Sequence, residues 1–189
     1  PFDNPLSSRF DENDAILVLD KVLVPWENVF LYGDVEQFNQ FGVKSGFAAR
    51  LTLQGATRLA VKVDFIAGLL LKSLELTGTR DFRGVEARLG EVLSWRSTFW
   101  AITSEMARNP EPWLGGSVQP NPDAVNSYRW LSMVGYARIR EIVLQDLGSA
   151  LIYLPSSVKD FDSPDIRPYL DQYVRGSGGV DAESRVKTL

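Results

Sequence analysis

The sequence predicts a mainly α protein: an up-and-down bundle of long helices, preceded by the last strands of a β-rich domain. Three observations lead there. Apolar residues recur every three or four positions along extended segments between Gly46 and Leu147. Glycine and proline fall between those segments and mark their ends. Before them lies a polar loop, a short β-type run from Ala15 to Leu19, and an edge stopped by Pro25. A lone strand pair cannot bury a face by itself. Residues 1–31 are therefore expected to be the tail of a β domain whose body lies upstream. Residues 32–189 are expected to be a helical domain, cut short at its end.

The elements follow in order. Val35 to Phe41 reads as a short helix or turn after Gly33-Asp34. The first long helix is expected over 46–76, with Leu51, Leu59, Val63, Ile66, Leu70 and Leu74 on its apolar face and Gly78 as its stop. A basic connection, 79–83, leads to a second helix over 84–108. Its stripe is Val85, Leu89, Val92, Trp95, Phe99, Ile102 and Met106, and Asn109-Pro110 ends it. Residues 109–122, with Pro110, Pro112, Gly115, Gly116, Pro120 and Pro122, read as a loop. A third helix over 123–147 carries apolar residues on most sides, including Trp130, Leu131, Val134, Ile139 and Ile142. That pattern predicts a central or subunit-interface position, with Gly148 as punctuation. A fourth helical piece is expected over 165–174, then a glycine-rich turn at 175–179. Asp181 caps a last helix.

Composition narrows the chemistry. The chain has 189 residues, 44% of them hydrophobic, which is enough to bury a substantial core. It has no cysteine and no histidine, which removes disulfides, thiol catalysis and the commonest general base and metal ligand. A net charge of −4 without a basic run offers no nucleic-acid surface. The most apolar segment, 59–76, is interrupted by Lys62, Asp64, Lys72 and Glu75, which favours a core helix over a membrane span. The acidic cluster Asp11, Glu12 and Asp14 lacks ligand spacing, so no metal site is expected.

Several blocks, in order along the chain, carry a family resemblance: PLSSRFDENDAIL (5–17), VLVPWENV (22–29), RLAVKVDF (58–65), FRGVEARLGEV (82–92), LIYLPSS (151–157) and YVRG (173–176). They resemble the oxygenase components of 4-hydroxyphenylacetate 3-monooxygenases, the two-component FADH2-dependent phenol hydroxylases. The stretch corresponds to the C-terminal part of that family, whose fold is acyl-CoA dehydrogenase-like. The resemblance implies FAD as cofactor, delivered as FADH2 by a separate flavin reductase. It also implies O2 activation through a flavin C4a-hydroperoxide and hydroxylation of a small phenol, such as 4-hydroxyphenylacetate, ortho to its hydroxyl. It further implies a cytoplasmic homodimer or homotetramer, with no nucleic-acid or membrane partner. Other phenols taken by the family are p-coumarate, halogenated phenols and carrier-bound tyrosine derivatives.

The resemblance also marks candidate site residues. Arg58, near the start of the first long helix, is the candidate catalytic group. Beside the flavin it would favour negative charge on the cofactor; otherwise it forms a salt bridge with Glu86 or Asp64. Arg80 and Arg83 flank a turn resembling the Arg-x-x-Phe-Gly turn of dehydrogenases, where guanidinium forks meet the FAD diphosphate. The arginine between Phe82 and Gly84 departs from that spacing, Arg83 is the better candidate, and a plain basic helix cap is the other reading. Ser156 and Ser157 are candidates to donate to ribityl or phosphate oxygens, or else form a turn or N-cap. Gly176 and Ser177 are candidates for close approach to FAD. Arg9 is expected either near flavin or substrate, or paired with Asp11, Glu12 or Asp14. Arg175 stands where the dehydrogenases have their catalytic glutamate, and an arginine cannot serve as that base. This weighs against the alternative of dehydrogenase chemistry. A noncatalytic helical assembly module is the remaining alternative. The phenol-binding groups of the family lie upstream, so this stretch alone is expected to be inactive.

Overall fold

The computed structural model describes residues 3–10 and 15–189, and the chain divides into two compact units, 1–48 and 49–189. In the first unit, 15–24 is irregular, with a bend at 20–21 where Lys21 takes φ 52°, and among the described residues it pairs with no strand; Ile16, Leu17 and Leu23 are at least four-fifths exposed. The expected β-type run forms no ladder here, because backbone donors and acceptors make a strand only with a neighbour beside them. Trp26 and Tyr32 meet edge-on, ring centroids 5.2 Å apart. Helix α1 (Val35–Lys44) starts where the Asp34 carboxylate accepts from Gln37 N at 2.9 Å, and it outlasts the sequence expectation by one turn.

The second unit is built on three long helices: α2 (Phe47–Thr77), α3 (Arg83–Arg108) and α4 (Pro122–Ile152). At 1.5 Å per residue, α2 and α4 are each about 46 Å long. α2 ends as expected: Gly78 takes φ 70°, Gly78 N donates to Glu75 O and Thr79 N to Leu74 O, both at 3.1 Å. This is the capping geometry that glycine allows at no steric cost. Between α3 and α4 the expected loop is a tight hairpin, β1 (Glu111–Pro112) pairing antiparallel with β2 (Val118–Gln119). Arg50 Nη2 on α2 holds it through Val118 O at 3.0 Å. The Asn121 side chain accepts from Ala124 N at 3.0 Å and Pro122 occupies the first helical turn, so α4 is capped and entered in one step.

Gly148 does not end α4, which runs on to Ile152. Leu147 and Ala150 are buried, and their packing outweighs the propensity cost of one glycine. Past it come α5 (Arg167–Tyr173) and α6 (Ala182–Thr188), the latter capped by Asp181, which accepts from Ser184 N at 2.8 Å.

The core joins Val63, Leu70 and Leu74 of α2 to Val92 and Phe99 of α3 and Ile139 and Ile142 of α4. On α2 the alanines Ala56, Ala60 and Ala67 are buried, whereas Leu51 is half exposed. Small side chains take the contact line because they let helices approach closely. α4 is not enclosed: Trp130, Met133 and Leu144 lie on its surface at 59% exposure or more. Asp64 of α2 pairs with Arg96 and accepts from Trp100 Nε1 of α3 at 3.0 Å.

α4 packs closely against α3 at Gly135, where an added Cβ would sit 2.6 Å from Trp95 Cε3 and 2.9 Å from Phe99 Cζ. Gly135→Ala is therefore expected to destabilise the fold by about 1–3 kcal/mol. Gly68→Ala, in open space on α2, is expected to stabilise it by about 0.5–1 kcal/mol. Denaturant midpoints of the two variants moving in the same direction would contradict this packing.

Candidate functional site

A polar cleft of about 410 Å³ opens where three chain segments meet. The C-terminal turn of α2 supplies Leu76, Thr77 and Thr79; the last turn of α4 supplies Ser149, Ala150 and Tyr153; the stretch leading to α6, and α6 itself, supply Arg175, Gly176, Ser177 and Arg185. Local chemistry sets each wall. The Thr77 and Thr79 hydroxyls lie 2.9 Å apart, and Thr77 Oγ1 is 3.0 Å from Ser73 O, so the pair is tied to the helix end. Gly176 N donates to Val180 O at 2.9 Å, and an added Cβ there would sit 2.9 Å from Val180 Cβ. Only glycine fits that turn without a shift. A Cβ on Gly78 would come within 3.0 Å of Ser177 Oγ, so the 176–177 turn is seated against the α2 stop. Arg185 Nη1 donates to Val174 O at 3.3 Å, and the Asp181 cap holds its helix in place.

The electrostatics of the cleft oppose those of the chain. Two arginines and no carboxylate line it, in a protein of net charge −4. Elsewhere on α3 and α4, charge is paired. Asp146, whose side chain is 2% exposed, accepts from Arg88 Nε at 2.8 Å across α3 and α4. Arg138 bridges Glu91 at 2.8 and 3.0 Å and also pairs with Glu141. The Arg138 hydrogen bonds hold Glu91 below the usual carboxylate range, and the carboxylates raise Arg138 further above its already high value.

Of the sequence candidates, Gly176 and Ser177 line the cleft. Arg80 and Arg83 lie on the short link between α2 and α3 that continues from Thr79. Arg80 is bound to Glu75 at 2.8 Å, and Arg83 is the exposed first residue of α3. Ser156 is exposed; Ser157 caps a short 3-10 turn (Val158–Phe161), its hydroxyl accepting from Lys159 N at 3.3 Å, which is the N-cap reading of that motif. Arg58 is exposed on α2, on a face shared with Leu51, Val61 and Phe65. Nineteen residues of helix separate it from Thr77, about 28 Å at 1.5 Å per residue. Arg9 is exposed in a turn of the first unit, and Asp11, Glu12 and Asp14 lie outside the described residues. Sequence reasoning missed Thr77, Thr79, Ser149 and Arg185. Tyr153 lay inside a quoted motif, but Arg185 reaches the cleft only through the tertiary path of α6, which leaves no local signal. Among the described residues no helix is long and apolar enough to cross a membrane, and no cluster of three or more acidic residues is placed to hold a metal.

Comparison with known proteins places this geometry. The model of the 4-hydroxyphenylacetate 3-hydroxylase N terminal region matches residues 1–31, and that of its C terminal region matches 38–189. A (3S)-3-amino-3-(3-chloro-4-hydroxyphenyl)propanoyl-[peptidyl-carrier protein SgcC2] monooxygenase of Streptomyces globisporus is 57% identical over 189 residues, 100% of this chain and 36% of its own length. The oxygenase component of a 4-nitrophenol 2-monooxygenase of Rhodococcus sp is also 57% identical, with the same coverage. The crystal structure of the oxygenase component of 4-hydroxyphenylacetate 3-monooxygenase complexed with FAD and 4-hydroxyphenylacetate superposes with a TM-score of 0.85 at 32% identity, covering 100% of this chain and 39% of that one. The chain thus spans little more than a third of the length of these relatives.

Two outcomes test the site's scaffold. Asp146→Ala is expected to lower the melting temperature by several degrees, because it strips a buried pair. Asp171→Ala, in an exposed pair with Arg167, is expected to change it little; equal shifts would contradict the buried role. The Asp181 carboxyl is held below its ordinary value by hydrogen bonds from Ser184. Its contribution to α6 is therefore full above the unfolded-state pKa and lost as pH falls through the lower folded value. Hydrogen exchange of α6 is expected to speed up on that acidification. Asp181→Asn, which keeps the cap acceptor, is expected to flatten this dependence, and an unchanged pH profile would contradict the cap.

Proposed function

Because the chain belongs to the 4-hydroxyphenylacetate 3-hydroxylase family, we propose that it forms the helical wall of the oxygenase component of a two-component flavin monooxygenase, which uses FADH2 and O2 to hydroxylate a phenol ortho to its hydroxyl. The cleft carries this reading: Gly176 and Ser177, expected from sequence to approach a flavin, share it with the α2 stop and the end of α4. Its residues fit a dinucleotide cofactor. Thr77, Thr79, Ser149, Tyr153 and Ser177 line a space of about 410 Å³ with no carboxylate among its lining residues, and Gly176 keeps the backbone free for close approach.

When bound, reduced FAD supplies the electrons that activate O2. The chain's own residues bind and orient it. Ser177 offers a donor to its oxygens, with Arg80, Arg83, Ser156 and Ser157 extending that surface along neighbouring turns. Arg58, on a face shared with Val61 and Phe65, provides a cation that would favour negative charge on a cofactor brought against that face. About 28 Å of helix lies between Arg58 and the cleft. The proposal therefore includes a homodimer or homotetramer, in which one copy's cleft and another's Arg58 serve the same cofactor.

Residues 1–31 are read as the tail of the middle β domain and 32–189 as the helical domain, supported by the separate family matches to 1–31 and 38–189. The cofactor arrives from a flavin reductase in the cytoplasm, with no nucleic acid or membrane involved. The relatives act on differing phenols, free or carrier-bound, so the substrate class is a phenol such as 4-hydroxyphenylacetate. Arg175 in place of a carboxylate base disfavours dehydrogenase chemistry.

The test is a product assay on the protein that carries this chain, with FADH2 supplied by a reductase under air. Arg58→Ala is expected to lower product per FADH2 oxidised by about tenfold or more, the difference appearing as H2O2. An unchanged ratio would remove Arg58 from the site, and absence of any hydroxylated phenol with the unsubstituted protein would overturn the reading.

A further inference from the structure

We propose that Arg175 and Arg185 form an anion-binding pair that takes a diphosphate group in the cleft at the end of the bundle. Neither arginine belongs to the candidate set drawn from sequence. Both line the same cleft, reached from opposite sides of the 176–180 turn: Arg175 precedes it and Arg185 stands on α6 after it. Neither forms a salt bridge among the described residues. Other arginines do, with Arg80, Arg88, Arg96, Arg138 and Arg167 each held by a carboxylate.

Two like charges on one cleft with no acid between them repel each other, and a bound anion relieves that cost. Arg185 spends one nitrogen on Val174 O at 3.3 Å. That bond orients the guanidinium and leaves its other donors for a ligand. Around the pair stand uncharged polar side chains: Ser149, Tyr153 and Ser177, with Thr77 and Thr79, whose hydroxyls are bonded to each other and to the end of α2. Guanidinium forks ringed by hydroxyls match the several acceptor oxygens of a diphosphate better than the two of a carboxylate. The glutamate-to-arginine departure at 175 thereby acquires a positive role: the position gives up a base and gains a phosphate contact. This assignment rests on the flavin-dinucleotide reading for the identity of the natural ligand, but the site itself is defined by its residues.

Calorimetric titration of the protein with inorganic pyrophosphate, with ADP and with acetate tests the pair. Pyrophosphate and ADP are expected to bind and acetate is not. Arg175→Gln and Arg185→Gln are each expected to weaken pyrophosphate binding about tenfold or more. Arg129→Gln, on the exposed first half of α4, is expected to leave it unchanged. ADP binding more tightly than pyrophosphate supports a nucleotide-borne diphosphate; equal binding supports recognition of the diphosphate alone. Failure of both to bind, or equal affinity in the Arg175 and Arg185 variants with their circular dichroism intact, overturns the pair. The hydroxylation assay is scored separately. Pyrophosphate binding without hydroxylation refutes the oxygenase reading and leaves the pair standing, whereas hydroxylation without arginine-dependent binding refutes the pair alone.

Discussion

The stop of α2 at Gly78 and its close approach to Ser177 hold the cleft end of the bundle together. A Cβ at Gly78 would press on the Ser177 hydroxyl at 3.0 Å, so two segments far apart in sequence meet with nothing between them. The positive φ of 70° turns the chain out of the helix, and the two carbonyl bonds that close the cap fix where Thr79 emerges. From that one junction follow the threonine pair on one wall, the 175–177 turn on the other, and the end of α4 between them.

The long helices serve this junction by rigidity. A core of Val63, Leu70, Phe99, Ile139 and Ile142 locks α2, α3 and α4 together, and the buried Asp146–Arg88 pair fixes the register of α3 against α4 near the cleft. Asp146 lies one turn before Ser149 on α4, so the same helical turn that is anchored by charge presents a hydroxyl to the cleft. Burying a carboxylate carries a desolvation penalty that its arginine offsets only in good geometry. What the pair contributes is one specific arrangement of the two helices.

Much of the architecture was legible in the sequence because long amphipathic periodicity leaves little choice. The stripe from Val85 to Met106 matched the buried face of α3, and Gly78, Asn109-Pro110 and Asp181 acted as the stops and cap their chemistry dictates. The failures share a physical cause. Gly148 reads as a terminator, but burial of Leu147 and Ala150 carries α4 past it. Apolar residues 15–19 read as a strand, yet strand pairing depends on a neighbour that local sequence does not specify. Leu51 reads as core and Ala60 does not, although close helix packing prefers the alanine. At the cleft, Gly176 and Ser177, singled out in sequence through a motif, are among the lining residues. Thr77, Ser149 and Arg185 were not singled out, because only the fold brings them to one cleft.

The most direct test of the account is a crystal structure of the intact protein with reduced FAD bound. The account predicts cofactor phosphate oxygens within hydrogen-bonding distance of the cleft formed by Thr77, Ser177, Arg175 and Arg185, with Arg58 of a neighbouring copy beside the flavin ring. A reduced flavin bound elsewhere, with that cleft holding only solvent, would contradict it.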